Sequence, residues 1–260
     1  MGKITEALKK AAQERLAHIE KKTAGIERDF VVKRMGDSKI DPHIVTFFDT
    51  RSPISEQYRI LKTNILSLKT NNRSKVFVIS SSIHSEGKTV TALNLAITLA
   101  RDLDNKKVLL VDADMRKGKV AKYLNIQPES GLSDLLTNDI AFESSVFNFG
   151  VSNLDVIAAG KIPHNPAELL ASNKMKNLIA AFRTKYDYIL FDAPPVIPLT
   201  DPQVLGAQSD GVFLVVQAGR TQRGALAHAQ SLLLQAEAKI LGFILTGIRY
   251  HIPEYIYRYL

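Results

Sequence analysis

Cysteine is absent from the 260-residue sequence. Without thiols the protein has no disulfide bonds, thiolate zinc sites, iron–sulfur clusters or cysteine nucleophiles. The sequence also lacks an apolar run that approaches the ~18–20 residues of a membrane-spanning helix. Its opening stretch, MGKITEALKKAAQERL, is charged throughout and has no apolar signal-peptide core. Together these absences predict a soluble, cytoplasmic protein.

Internal repeats, low-complexity tracts and nucleic-acid recognition motifs are also missing from the sequence. The formal net charge is +8 and the isoelectric point is about 9.5. This charge is compatible with an anionic membrane surface, an acidic partner or nucleic acid. It is equally compatible with a soluble protein that carries a few surplus lysines. Because no recognition motif accompanies the charge, we expect no nucleic-acid partner.

The chain divides into three parts by its hydrophobic pattern. Residues 3–22 carry apolar side chains in steps of three and four, which predicts a helix, and residues 23–52 have no period, which indicates a linker or an extended wrap. The remainder alternates short apolar runs with helical stretches, as βαβ units do. The predicted strands are 75–80, 107–114, 154–160, 186–195, 211–219 and 240–248, and the predicted helices are 88–102, 167–183 and 222–237. We therefore expect a basic helix and linker over 1–50, an α/β domain over 51–248 and a tail over 249–260.

A phosphate-binding loop follows the first predicted strand. Residues 82–89, SIHSEGKT, have the P-loop form G-x-x-x-x-G-K-[ST], except that Ser82 takes the place of the first glycine. Such a loop directs backbone N–H groups at phosphate, while Lys88 bridges the β- and γ-phosphates and Thr89 binds Mg²⁺. The predicted nucleotide-binding residues are Ser82, His84, Ser85, Glu86, Gly87, Lys88, Thr89 and Val90.

Carboxylates follow two further predicted strands. Asp112 and Asp114 end the run VLLVDAD, and Asp192 ends YILFD. Parallel strands present their carboxyl ends at one edge of a sheet, where an NTPase holds its magnesium. Taken singly, such an aspartate is as often a turn or N-cap residue. Three of them beside a P-loop favour an ATP site on a P-loop NTPase fold, a doubly wound and mostly parallel sheet flanked by helices.

At this point the motifs resemble a known family. SSIHSEGKT, VLLVDADMRKGK and YILFDAPP are similar to the Walker A, A′ and B motifs of bacterial tyrosine autokinases, the BY-kinases of capsule and exopolysaccharide synthesis. The resemblance covers most of residues 52–250 and includes SEQYRILKTNI, GLSDLL, IPHNPAELLAS and SDGVFLVVQAGRT. It is strongest to the cytoplasmic kinase subunit that has no membrane domain of its own.

The resemblance implies a role for each residue of the site. Lys88 binds the phosphates of ATP, and Asp112 acts as the base toward the incoming tyrosine hydroxyl. Thr89, Asp114 and Asp192 hold Mg²⁺ directly or through water. The implied catalytic set is thus Lys88, Asp112 and Asp114, and the implied cofactors are ATP and Mg²⁺.

The resemblance also implies partners. Glu56 and Arg59 match the first two members of an E-x-x-R-x-x-R oligomerisation motif, and Lys62 stands at its third position. Lysine keeps the charge but lacks the planar fork of arginine, so ring assembly is expected to differ. Further partners implied are a membrane polysaccharide co-polymerase that activates the kinase at the inner face of the cell membrane, and a cognate tyrosine phosphatase. Two more departures from the family are Ser85 for glycine and Thr246 for asparagine.

Half of the 8 tyrosines lie in the last 12 residues, RYHIPEYIYRYL. In the family this cluster is the substrate, which implies autophosphorylation in trans at Tyr250, Tyr255, Tyr257 and Tyr259. Tyrosines at 255, 257 and 259 alternate with other residues, so an edge strand is a second interpretation. A membrane-interface anchor is a third, because Tyr and Arg favour that zone.

Two other function classes remain open from the residues. A positioning ATPase of the cell-division or partition type shares the fold and the strand-end aspartates. That class typically has an early lysine in its loop (K-G-G-x-x-K), whereas residues 81–83 here are Ser-Ser-Ile. A non-catalytic regulator that binds nucleotide is the other class, and the complete set of loop and strand-end residues argues against it.

Overall fold

The computed structural model describes residues 40–68, 74–102, 104–151 and 153–248. The predicted helix over 3–22, most of the predicted linker and the tyrosine-rich tail lie outside these residues. No helix within the described ranges is long and apolar enough to cross a membrane.

Within the described ranges seven strands form one sheet, in the order β3-β4-β2-β5-β1-β6-β7. Neighbouring strands are parallel, except that β3 runs antiparallel to β4. The bounds are β1 (Lys75–Ser81), β2 (Val108–Asp112), β3 (Val146–Asn148), β4 (Leu154–Ile157), β5 (Tyr188–Asp192), β6 (Gly211–Gln217) and β7 (Ile240–Thr246). All six predicted strands are present, and the predicted doubly wound α/β fold is confirmed. The sequence analysis missed β3, whose three residues are too few to show a period.

Helices connect the strands and cover both faces of the sheet. The described helices are α1 (Val45–Phe48), α2 (Pro53–Leu66), α3 (Lys88–Ala100), α4 (Val120–Leu124), α5 (Leu132–Thr137), α6 (Pro166–Ala171), α7 (Asn173–Lys185), α8 (Asp201–Ala207) and α9 (Arg223–Gln235), with a 3₁₀ turn at Phe142–Ser145. The single helix predicted over 167–183 is two helices. Ser172 is extended between them, and its hydroxyl accepts a hydrogen bond from the Met175 N–H as the N-cap of α7. An N-cap serine ends one helix and begins the next.

Alternate residues of the central strands enter two separate hydrophobic layers. In β1, Val76 and Val78 join the layer that contains α5–α9, while Phe77 and Ile79 join the layer that contains α2–α4. Burial on both faces explains why these strands read as continuous apolar runs. Parallel pairing places the carboxyl ends of β2, β5 and β1 side by side at one edge of the sheet.

The segment expected to be linker or wrap packs on the central helix α3 before α2 begins. Ile44 is fully buried. The Asn94 side chain, in the middle of α3, accepts hydrogen bonds from the Thr46 N–H and hydroxyl, each at 2.9 Å. Its amide donates to the carbonyl oxygens of His43 at 3.0 Å and Val90 at 2.8 Å. One buried amide therefore ties residues 43–46 to the helix that begins at the phosphate loop.

We predict that Asn94→Ala destabilises the protein by about 2–4 kcal/mol, because it removes the hydrogen-bond partner of the buried Thr46 N–H and of the His43 carbonyl. Thr46→Val is the matched control. It removes the hydroxyl and keeps the backbone hydrogen bond, so its loss should be about 1 kcal/mol. Urea unfolding of both variants measures the difference. Equal losses in the two variants would contradict the role assigned to the amide.

Candidate active site

The loop between β1 and α3 needs backbone conformations that few residues adopt. Gly87, the N-cap of α3, has φ +91°, and Ser85 has φ +64°. Both values lie in the left-handed region, which glycine enters at no steric cost. Ser85, which stands where the resemblance leads us to expect glycine, therefore keeps the conformation that a glycine would take.

The ends of β6 and β7 hold this loop in place. The Glu86 carboxylate is buried, accepts a hydrogen bond from the Ile83 N–H at 2.9 Å and accepts another from the Thr221 hydroxyl. The Thr246 hydroxyl, at the end of β7, donates to the Glu86 carbonyl at 2.8 Å. Thr246 stands where asparagine was expected, and its hydrogen bond holds the phosphate loop against the end of β7.

Lys88 and the strand-end carboxylates meet beneath the loop. Asp112 and Asp192 end the neighbouring strands β2 and β5 and lie directly opposite one another in the sheet register. The Lys88 Nζ lies 3.2 Å from Asp114 Oδ2 and 3.6 Å from Asp192 Oδ1. The structure thus brings together the three residues predicted as catalytic, Lys88, Asp112 and Asp114, with the predicted magnesium ligand Asp192.

Burial dominates the electrostatics of this cluster. Desolvation, followed by the charge of the nearby Asp192, raises the pKa of Asp112 to about 8, although the Val120 N–H and Lys88 act to lower it. Desolvation also raises the pKa of Asp192, although Lys88 opposes that shift. Burial by itself would lower the pKa of Lys88, but the charges of Asp192, Asp114 and Asp112 outweigh it and raise that pKa. Lys88 therefore stays charged, while the carboxylates compete for one cation.

Asp112 is held by backbone groups and by a close glycine. Its carboxylate accepts hydrogen bonds from the Val120 N–H at 3.0 Å and the Asp114 N–H at 3.2 Å. A Cβ at Gly118 would lie 2.9 Å from Asp112 Oδ2 and 2.5 Å from the Ala159 Cβ. The glycine in the RKGK part of the second motif is therefore required by the close approach of the loop to Asp112.

An open cleft of about 90 Å³ lies above this cluster. Its lining residues are His84, Ser85, Gly87, Lys88, Thr89, Val90, Asp114, Lys117, Lys119 and Tyr123. Six of the eight residues predicted to bind nucleotide belong to this lining. The other two, Ser82 and Glu86, are buried under the loop and do not line the cleft.

Two cations of the second motif and one residue that no motif predicted complete this cleft. Lys117 and Lys119 belong to VLLVDADMRKGK, in which cations close behind Asp114 are a usable signal for phosphate. Tyr123 comes from α4, and no motif pointed to it. Arg116, the neighbour of Lys117, points elsewhere, because its Nε lies 3.4 Å from the buried Asp201 carboxylate.

The donor set suits a hard cation such as Mg²⁺. Asp192 is fully buried, and neither of its oxygens meets the geometry of a full hydrogen bond to a described residue, although Lys88 and Thr89 lie against it. The neighbouring groups that could bind a metal ion do so through oxygen, which Mg²⁺ prefers. Among the described residues no group of three or more acidic or histidine side chains is arranged to hold a metal by itself. Magnesium usually takes one or two carboxylates and completes its shell with water and phosphate, so the residues fit this mode.

The residues predicted for oligomerisation lie on α2 and do not line the cleft. Arg59 is bonded to Glu56 and donates to the Thr50 carbonyl at 2.7 Å. Lys62 forms a salt bridge with Asp102 at 3.2 Å within its own chain. Arg59 and Lys62 also line a separate polar cavity of about 300 Å³. The exposed Glu56–Arg59 pair is thus available to a neighbour, while Lys62 already has an acidic partner.

The chain is similar in sequence to known proteins that share one described activity. The AAA domain family matches residues 74–238. The chain is 37% identical to the tyrosine-protein kinase YwqD of Bacillus subtilis over 210 residues, which cover 81% of this chain and 88% of YwqD. It is 34% identical to the putative tyrosine-protein kinase CapB of Staphylococcus aureus, over 75% of this chain and 85% of CapB.

Solved structures agree with these sequence matches. The kinase domain of the Escherichia coli tyrosine kinase ETK superposes with a TM-score of 0.76 and 27% identity, covering 80% of this chain and 81% of that domain. The Pyrococcus furiosus cell division ATPase MinD superposes with a TM-score of 0.57 and 24% identity over 66% of this chain and 71% of MinD. The likeness to MinD shows a shared fold alone.

We predict that Asp112→Asn stabilises the nucleotide-free protein at alkaline pH. A carboxyl whose folded pKa is raised takes up a proton on folding, so its cost to stability grows as pH rises from about 4 toward about 8. The substitution removes this cost. The variant should exceed the parent by about 1–3 kcal/mol at pH 8.5, and the difference should shrink toward pH 5.

Thermal melts at both pH values measure this difference, with the exposed Asp139→Asn as control. A variant that is equally stable or less stable than the parent at pH 8.5 would show that the Asp112 carboxyl does not lower the stability of the folded protein.

Proposed function

The chain belongs to the bacterial tyrosine-protein kinases, and we propose that it transfers the γ-phosphoryl group of ATP to tyrosines of its own C-terminal segment in trans. The observation that carries this proposal is the convergence of Lys88, Asp112, Asp114 and Asp192 beneath a P-loop cleft. Phosphoryl transfer needs positioning and charge neutralisation more than covalent chemistry from the protein. This cluster is suited to both.

The nucleotide phosphates are proposed to bind at the start of α3. Backbone N–H groups of the loop and the helix N-terminus favour anions there. Lys88, whose charge is stabilised by the aspartates, would bind the terminal phosphate oxygens. The structure pairs Lys88 with Asp114 and Asp192, so a bound phosphate would compete with these carboxylates for the Lys88 ammonium.

Asp112 is proposed as the general base. A phenol has a pKa near 10, and its proton must leave as the oxygen attacks phosphorus. Asp112 is buried and has a raised pKa of about 8, which suits a group that accepts this proton near neutral pH. The proton would move from the tyrosine hydroxyl to the Asp112 carboxylate while the bond from the γ-phosphorus to the ADP oxygen breaks.

Thr89, Asp114 and Asp192 would hold Mg²⁺ in the active enzyme. The bound ion would neutralise charge on the phosphates. The support for this assignment is the buried, incompletely bonded Asp192 carboxylate beside the Thr89 hydroxyl. Asp114, at the cleft wall, would then be released from its pairing with Lys88.

The tyrosine cluster is the proposed acceptor, although it lies outside the described residues. Buried tyrosines such as Tyr186 and Tyr188 are held in the fold, and burial raises the pKa of both phenols, so they are poor acceptors. Tyr250, Tyr255, Tyr257 and Tyr259 follow directly on β7, whose end touches the phosphate loop through Thr246. A segment attached at this point can reach the cleft of a neighbouring molecule.

Assembly and partners follow from the same proposal. We propose a homo-oligomer in which Glu56 and Arg59 contribute to the contact, with Lys62 weakened for this purpose by its pairing with Asp102. The proposed kinase regulates capsule or exopolysaccharide polymerisation. It contacts a membrane co-polymerase, through which it is attached to the inner face of the membrane. A tyrosine phosphatase reverses the phosphorylation.

We predict that incubation with ATP and Mg²⁺ adds several phosphates to the intact chain, as measured by mass spectrometry. Lys88→Met should slow this addition at least ~100-fold, because the developing charge on the transferred group loses its cation. Truncation after Arg249 should remove the phosphorylated sites. The exposed Lys161→Met is the control and should behave as the parent does.

If ATP is hydrolysed and no phosphate appears on the chain, the positioning ATPase becomes the better description. Phosphates that persist after the truncation would move the acceptor sites into the folded domain.

The direction of transfer is tested by mixing two inactive halves. The Lys88→Met chain keeps its tail and lacks activity, whereas the chain truncated after Arg249 keeps the site and lacks the acceptor. We predict that phosphate appears on the Lys88→Met chain only in the mixture, because the tail reaches a neighbour's site. A mixture without phosphate, from a parent that is itself phosphorylated, would indicate transfer within one chain.

A further inference from the structure

The last strand leaves one edge of the sheet without a partner among the described residues. β7 pairs with β6 on one side, and the sheet order ends there. Its sequence, ILGFILT, contains no charge and no proline. Phe243 is 46% exposed and Leu245 is 55% exposed, and Ile248 beyond the strand is 47% exposed.

Such an edge is unusual for a soluble domain. Exposed edge strands recruit other strands, and natural proteins protect them with lysines, prolines, bulges or a covering segment. The β6–β7 pairing has one register irregularity, next to Leu241, but residues 242–246 of β7 pair with β6 without interruption. Phe243 and Leu245 pair in register with Leu214 and Val216 of β6, so both project from the same face of the sheet. The strand therefore presents two apolar side chains and a row of unpaired backbone groups at one place.

We propose that residues 249–260 of the same chain return along β7 as an antiparallel strand and cover this edge. The segment is continuous with β7, and its 12 residues suffice for a turn and a strand that matches the seven residues of β7. Gly247 has φ +66°, the left-handed conformation in which chains turn back on themselves. Pro253 fits the end of that turn, since proline is tolerated at the first position of an edge strand.

The side-chain pattern of the segment selects a register. With a loop over 247–253, Tyr255 lies opposite Leu245 and Tyr257 lies opposite Phe243. Opposite residues of an antiparallel pair share a face, and aromatic side chains paired with apolar ones stabilise such strands. A slip by one residue would instead place Arg258 on the apolar face, which disfavours it. The alternation of Tyr255 and Tyr257 is thus what a strand on the regular part of this edge requires.

Other occupants fit the structure less well. The N-terminal residues join the described chain at residues 40 and 41, where the Asp41 N–H donates to the Tyr123 carbonyl of α4. Helix α4 comes directly after β2 in the chain, and three strands separate β2 from β7 in the sheet order. The N-terminal residues therefore enter the domain far from the exposed edge. A second copy that pairs β7 with β7 is the remaining competitor and is separated below by its dependence on concentration.

The docked segment would act as a reversible cover for its own phenols. Phosphate adds about −1.5 to −2 charges to a tyrosine, and such a group opposite Phe243 or Leu245 would lose hydration without gaining a partner. Phosphorylation therefore shifts the segment to the undocked state and leaves β7 bare. This release rests on the proposed autophosphorylation, whereas the docking itself does not.

Hydrogen–deuterium exchange of the β7 amides tests the docking without any catalysis. The full-length Lys88→Met chain, without ATP, is compared with the same chain truncated after Arg249. We expect exchange over 240–246 to be about tenfold slower in the full-length chain. Tyr257→Phe should keep this protection because it keeps the ring, and Tyr257→Asp should lose it.

Equal exchange rates in full-length and truncated chains would overturn the proposal. Protection that disappears on dilution, together with a fall in molar mass by light scattering, would assign the edge to a second copy and overturn it as well. If the truncated chain melts early, the Tyr257→Asp and Tyr257→Phe pair decides alone. The active chain incubated with ATP supplies the second arm: phosphates found by mass without loss of protection would remove the release step only, and absence of phosphate would count against the proposed function only.

Discussion

The structure depends on keeping Lys88 charged among three buried aspartates. Burial of a cation is unfavourable, and here the charges of Asp192, Asp114 and Asp112 reverse that penalty. The same burial makes each carboxylate compete for one cation and raises the pKa of Asp112 and Asp192. In the proposed function, such a balance would favour the binding of a divalent cation, because the cation would relieve repulsion among the carboxylates. The repulsion among these carboxylates lowers the stability of the folded protein, as is common at functional sites.

The remainder of the fold holds that cluster in position. Parallel pairing of β2, β5 and β1 places two aspartates and the phosphate loop at one edge. Buried Asn94 ties the preceding segment to the same helix that begins with Lys88, so the helix is fixed in its middle as well as at its start. From the other side, Thr221 and Thr246 fasten the loop through Glu86. At the two departures from the expected pattern, Ser85 adopts a left-handed backbone conformation and the Thr246 hydroxyl donates to the Glu86 carbonyl.

The position of β7 links the site to the tail. Its carboxyl end contacts the phosphate loop, its outer edge exposes Phe243 and Leu245, and the tyrosine cluster follows immediately in the chain. One strand thus contacts the phosphate loop, exposes an apolar edge and leads into the proposed acceptor segment. The two proposals for the tail are compatible, because one concerns an unphosphorylated docked state and the other an undocked reactive state.

The sequence by itself determined the fold class, the six longer strands and the residues of the phosphate loop and strand ends, because local periodicity and short motifs carry those features. It did not reveal β3, which is too short to show a period, or the break at Ser172, which a local N-cap makes. The burial of Glu86 was also not evident, because it depends on Thr221, which is distant in the chain. Tertiary structure alone decided that Asp112 faces Asp192, that Lys119 and Tyr123 reach the cleft and that Lys62 already has Asp102 as partner. Motifs name the groups that a site needs, but distances, desolvation and competing partners arise only when separate segments pack together.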